Sequence, residues 1–121
     1  MQSLEIQGYS YAERSGLLFS LTTSLEQCGG WLLEHRLLSP TTIELRLEIE
    51  LRSIVDLYAA LIAAGLEFTR SGHLALTAAC TCRRNQSAFV ELRRIIVICL
   101  EIDFLEDTTL RALQLAHGPV A

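Results

Sequence analysis

From Thr42 to Arg52 the chain alternates without a break. Ile43, Leu45, Leu47, Ile49 and Leu51 are apolar, while Glu44, Arg46, Glu48, Glu50 and Arg52 are charged. Side chains of a β-strand point to opposite faces in turn, so this segment is a strand with one face in a core and the other in water. A helix would spread the same charges around its circumference and bury some of them. This one segment therefore excludes an all-helical fold and calls for a sheet covered on one side. Ser39-Pro40-Thr41 before it reads as a turn, and Trp31 to Leu38 before that is rich in large apolar residues, so the two form an antiparallel hairpin.

The other segments fall into place around that hairpin. Leu4-Glu5-Ile6-Gln7 alternates as a short strand. From Ser15 the spacing turns helical, with Leu18, Leu21, Leu25 and Cys28 on one stripe, and Gly29-Gly30 supplies the positive φ that ends a helix. Ser53 and Asp56 stand where a capping residue and a first-turn carboxylate belong, ahead of the stripe Ile54, Leu57, Tyr58, Leu61 and Ala64, which Gly65 closes. After a turn at Arg70-Ser71-Gly72, His73 to Arg84 reads as a strand with Leu74, Leu76, Ala78, Cys80 and Cys82 on one face. A long strand is expected from about Phe89 to Leu105. Its centre, Ile95 to Leu100, is apolar on both faces and needs cover from a terminal helix starting at Asp107 or Thr108, or from a second copy of the chain.

Half of the 121 residues are hydrophobic and a fifth are charged, enough for one compact domain with a real core over 1–121. With 14 acidic against 10 basic residues and no lysine, the net charge of −4 gives no electrostatic reason to bind a nucleic-acid backbone. Met1 to Ser10 has neither the basic nor the apolar region of a secretory signal, and Leu57 to Leu66 and Ile95 to Leu100 are too short to span a bilayer, so a cytoplasmic protein without membrane contact is expected. In that setting Cys28, Cys80, Cys82 and Cys99 are expected as free, mostly buried thiols.

The order through residue 84 is strand, helix, strand, strand, helix, strand. This is an α+β, ferredoxin-like βαββαβ sandwich over 3–84, an antiparallel sheet with two helices on one face, extended by a C-terminal strand and helix over 85–121. Its outer face is solvated or used for contacts, which matches the charges at 44, 46, 48 and 50. Within this order Glu13-Arg14-Ser15-Gly16-Leu17-Leu18-Phe19, followed by Leu21, Leu25 and Gly29-Gly30, resembles the first strand-to-helix junction and first helix of ACT domains. Ser15 stands where that family usually has proline, and the resemblance covers residues 3–82. It implies a regulatory module that dimerises through sheet edges or helices and binds an amino acid or similar metabolite at the subunit boundary. The ligand would then sit at Glu13, Arg14, Ser15, Gly16 and Leu17, where Gly16 permits close approach and the first-turn amides can accept a carboxylate.

Other chemistry is thinly represented. Arg83-Arg84 and Arg93-Arg94 flank the polar connection into the last strand and would cluster if the flanking strands pair, as a candidate anion site or as ordinary surface ion pairs. Cys80 and Cys82 would share a strand face with Cys99 opposite, but the face is otherwise a core face, so no metal site is read there, and no cofactor motif occurs. His35, His73 and His117 have no paired spacing. Glu101 and Asp103 share a strand face that reads as solvent-facing. Two other functions remain open: an interaction domain whose two-faced strand at 95–100 serves assembly without a ligand, and a small dimeric ferredoxin-like enzyme, which needs His35 or His73 in a cavity beside a carboxylate.

Overall fold

The computed structural model describes residues 2–85 and 89–105. In chain order the elements are β1 (Gln2–Ser10), α1 (Arg14–Gln27), β2 (Trp31–Ser39), β3 (Thr42–Glu50), a 3₁₀ turn (Leu51–Ser53), α2 (Ile54–Ala63), β4 (Glu67–Phe68), α3 (Arg70–Asn85), the single-turn α4 (Phe89–Leu92) and β5 (Ile95–Phe104). The chain is α+β, with five strands in the order β2-β3-β5-β1-β4. The hairpin of β2 and β3 forms as expected, with Leu32 opposite Leu47 and Leu37 opposite Ile43.

Two expectations are corrected. His73 to Arg84 is not a strand but most of α3. Its buried positions, Gly72, Leu76 and Ala79, are spaced by four and three, and the period-two pattern of Leu74, Leu76 and Ala78 is incidental. Alanines at 75, 78 and 79 favour helix, and Thr77 and Thr81 fit into it by donating their hydroxyls to His73 O and Thr77 O, one turn back. The sheet is also mixed rather than antiparallel. β5 lies between β3 and β1, antiparallel to the first and parallel to the second, and so separates two strands that a ferredoxin-like sheet would pair directly. It starts at Ile95 rather than Phe89. The terminal helix expected from Asp107 or Thr108 lies outside the described residues.

The central place of β5 explains its composition. Ile96, Ile98, Leu100, Ile102 and Phe104 are buried against the helices, in one cluster with Ile43, Leu45, Leu47 and Ile49 of β3, Leu17, Leu21 and Leu25 of α1, Leu57 and Leu61 of α2, and Leu76 of α3. Ile95, Val97 and Cys99, on the other face, are half-buried between neighbouring strands. Helices thus cover one face of the sheet and leave the other open, as the alternation in β3 requires.

Both major turns are built by glycine. At the end of α1, Gly29 takes φ +79° and donates to Glu26 O, while Gly30 donates to Leu25 O, closing a Schellman motif. Gly65, at φ +97°, repeats the arrangement after α2, with bonds to Ile62 O and from Leu66 to Leu61 O. Gly30 serves a second purpose, since a Cβ there would lie 2.7 Å from Glu48 O and 2.6 Å from Leu25 Cδ1. Ser53 precedes α2 but makes no side-chain cap bond, whereas Asp56 does lie in the first turn.

At the other side of the sheet α3 takes over where β4 stops. Thr69 donates its N–H and its hydroxyl to Gln7 O, and its hydroxyl oxygen accepts from Gly72 N–H, so one side chain caps α3 and pins it to β1. The Gly72 backbone lies so close that a Cβ would come 2.9 Å from Gln7 O. Leu100 faces Ile6 and Leu45 across this sheet with no exposed surface. Leu100→Ala is expected to cost about 2–5 kcal/mol of unfolding free energy in urea titration, because the flanking strands cannot collapse into the space.

Candidate functional site

On the open face the strand register lines up two rows of polar side chains. One row runs Glu34, Arg46, Cys99 and Glu5, and the next runs Arg36, Glu44, Glu101 and Gln7. Alternation within each strand sends all of them to the face without helices. Between the rows lies a hollow of about 510 Å³ lined by Glu5, Gln7, Arg36, Glu44, Arg46, Cys99 and Glu101, with Ser71 of α3 at its rim. The pinning of α3 by Thr69 puts Ser71 there.

The charges in this hollow are interleaved. Arg36 Nε is 3.0 Å from Glu44 Oε1, and Arg46 reaches Glu34 at 3.7 Å. Arg46 is a cation, as arginine always is in proteins, and the Cys99 sulfur, ahead of Glu34 and Glu44, favours that charged form and moves its pKa upward. Glu44 and Glu101 stand directly opposite each other, a like-charge pairing that disfavours the sheet unless a cation comes near. Neither Glu5 nor Glu101 has an ion-pair partner among the described residues. The arrangement sets guanidinium donors beside carboxylates that have no ion-pair partner among the described residues.

The residues expected to bind a ligand at 13–17 are engaged in the fold. Glu13 Oε1 accepts from Ser15 N–H at 3.1 Å and Oε2 from Gly16 N–H at 3.0 Å, so the first-turn amides of α1 already hold a carboxylate. Arg14 donates to Pro40 O at 2.5 Å, and its guanidinium carbon lies 5.1 Å from the centre of the Phe104 ring. Leu17 is core. Ser15 and Gly16 are exposed.

The arginines divide. Arg83 and Arg84, in the last turn of α3, line a shallow hollow with Val55, Thr77, Cys80 and Thr81. Arg93 lies 3.6 Å from Glu50, and Arg94 meets Glu91 at 3.4 Å and Cys82 Sγ at 3.7 Å. No strand pairing gathers the four, since α3 occupies one side of the connection.

Cys80 and Cys82 point in different directions from a helix instead of sharing a strand face, and all four cysteines are free. Burial pushes the Cys28 and Cys80 thiols up, which keeps them protonated. No group of three or more metal-ligating residues occurs among the described residues. His35 is exposed on β2, and His73 Nδ1 is hydrogen-bonded to the Tyr58 hydroxyl, with its ring edge-on to Phe68. Among the described residues no helix is long and apolar enough to cross a membrane.

The signal for the open-face hollow was present in the alternating charges of 44 and 46 and in Glu101. Which strands would lie beside them was not. The chain matches no protein-family model, no curated protein and no solved structure.

The cap at Glu13 carries a pH signature. Bonds from the Gly16 and Ser15 backbone, in that order, hold the Glu13 carboxyl below its usual value of 4.5. A depressed pKa contributes stability above the unfolded value and loses it as pH falls through the folded one. Glu13→Gln is therefore expected to lower the melting temperature at pH 7, with the gap to wild type closing below about pH 4 in melts followed by circular dichroism.

Proposed function

We propose that the protein is a non-enzymatic binding module, of the ACT-like regulatory kind that its first junction resembles, which takes up a small zwitterionic metabolite such as an amino acid and acts as a homodimer in the cytoplasm. One observation supports the ligand class: the open-face hollow presents Arg36 and Arg46 alongside Glu5 and Glu101. A zwitterion meets this pattern with its carboxylate on the guanidinium groups and its ammonium on the carboxylates. A simple anion is opposed by the glutamates and a simple cation by the arginines. The four free thiols suit a reducing compartment.

The ferredoxin-like part of this reading takes Gln2–Phe68 as the βαββαβ unit, with β5 let into the middle of its sheet. Leaving β5 out of the strand order gives β2-β3-β1-β4, with each helix crossing between strands that run the same way. Ligand uptake would shift the geometry of the two subunits, and a partner would read that shift. The hollow is favoured over the loop at 13–17 because Glu13 already occupies the Ser15 and Gly16 amides. A second reading, an interaction domain without a ligand, draws on the exposed leucines Leu33, Leu37 and Leu38 along β2.

A thermal-shift screen against amino acids tests the ligand. At a hundredfold excess over Kd a true ligand adds about 2.7 kcal/mol of stability and a clear rise in Tm. Arg46→Ala and Glu101→Gln are expected to abolish that rise and Glu13→Gln to leave it. The reverse pattern would return the site to the 13–17 loop, and no rise with any amino acid would reject the metabolite in favour of the interaction domain.

A further inference from the structure

Of the four free cysteines, Cys99 is the one that lines the open-face hollow. β5 carries it to the middle of the sheet. Its register partners are Arg46 of β3 on one side and Glu5 of β1 on the other, and Glu101 follows on the same face of β5. The sulfur is close enough to favour the charged Arg46 guanidinium. The other thiols have different surroundings. Burial keeps Cys28 and Cys80 protonated, and Cys82 Sγ lies 3.7 Å from Arg94, away from the hollow.

A thiol on the floor of a hollow that holds both signs of charge narrows the ligand. We propose that the hollow takes up a zwitterionic amino acid carrying a disulfide, of the cystine class, and keeps one half of it as a mixed disulfide on Cys99. This rests on the zwitterion reading above and names the substrate class of the same site. The Cys99 thiolate attacks one sulfur of the ligand, whose S–S bond breaks as the bond to Cys99 forms. The departing thiolate takes up the proton that Cys99 gave up. The exchange needs no separate oxidant, and a free thiol reverses it, so occupancy follows the supply of the disulfide form.

The dimensions match. Two half-cystines joined through sulfur have their α-carbons about 5.5–6 Å apart. Neighbouring strands lie about 4.8 Å apart, and successive residues on one face of a strand about 6.7 Å. The α-carbon of a half-ligand on Cys99 therefore lies level with Arg46, Glu5 and Glu101, which brings its carboxylate to the guanidinium and its ammonium to a glutamate. An ammonium beside Glu101 also relieves the like-charge pairing with Glu44. Arg46 has a second use, since a cation beside the sulfur favours the thiolate that attacks. A disulfide without charged groups makes none of these polar contacts.

The test is mass spectrometry of the full chain after incubation with cystine, and separately with hydroxyethyl disulfide as an uncharged probe, with each rate divided by that of a small free thiol in solution. Wild type is expected to gain one half-cystine, mapped by proteolysis to Cys99, at a relative rate at least about tenfold above that of the uncharged probe, and to lose it to dithiothreitol. Cys99→Ser abolishes the adduct, while Arg46→Ala and Glu101→Gln bring the cystine rate down to that of the probe, with circular dichroism as a check on folding. Equal relative rates for the two disulfides, an adduct on cysteines other than Cys99, or no adduct overturns the capture. In each of those cases a rise in Tm with a thiol-free amino acid in the screen above leaves the zwitterion site standing, and the lack of any rise removes both readings.

Discussion

The rest of the structure depends on the insertion of β5 between β1 and β3. Those two strands do not touch through hydrogen bonds; each is held by its full-length ladder to β5. The helices pack on a surface whose middle row is Ile96, Ile98, Leu100 and Ile102, all without exposure. A strand that arrives late in the chain and sits in the middle of the sheet makes its pairings long-range, so the sheet is complete only when the segment at 95–104 is in place. The hairpin of β2 and β3 is the local exception, joined by a short turn.

Covering the sheet on one side leaves the other side for chemistry. Core packing uses every second residue of β3 and β5, and the residues between carry Glu44, Arg46, Cys99 and Glu101 to the open face. Register then decides which of these meet. The same hairpin that fixes the core row Leu47, Leu45 and Ile43 fixes the ion pairs Arg46–Glu34 and Arg36–Glu44, so a one-residue slip would scramble both. The polar face and the edge strand are thus one unit, with Arg36 belonging to each.

Particular residues show what was legible. The alternation from Ile43 to Glu50, the stripe Leu21 and Leu25, and the glycines at 29 and 65 were plain because each is a local pattern with a single low-energy answer, whereas Leu51 and Arg52, which continue the alternation, leave the strand for a 3₁₀ turn. His73 to Arg84 was not. Its alanines, threonines and cysteines are small and similar in polarity, so the true buried set Gly72, Leu76 and Ala79 gives no contrast, while an accidental alternation does. In sequence the residues at 13–17 look like a place where helix amides await an anion, whereas Glu13, at the start of the same segment, supplies that anion itself. The open-face hollow assembles residues from β1, β2, β3 and β5, and no local pattern links Glu5 to Glu101.

The sequence by itself determined that this chain builds a sheet with one wet face, a hairpin at 31–50 and helices closed by Gly29 and Gly65, because side-chain alternation and positive φ are properties of adjacent residues. Tertiary structure alone decided that the most apolar strand becomes the centre of the sheet, that 70–85 is a helix pinned to β1, and that charges from four strands share one hollow. Those outcomes rest on which distant segments bury surface together, an energy that belongs to the assembled layers and is written in no single stretch of the chain.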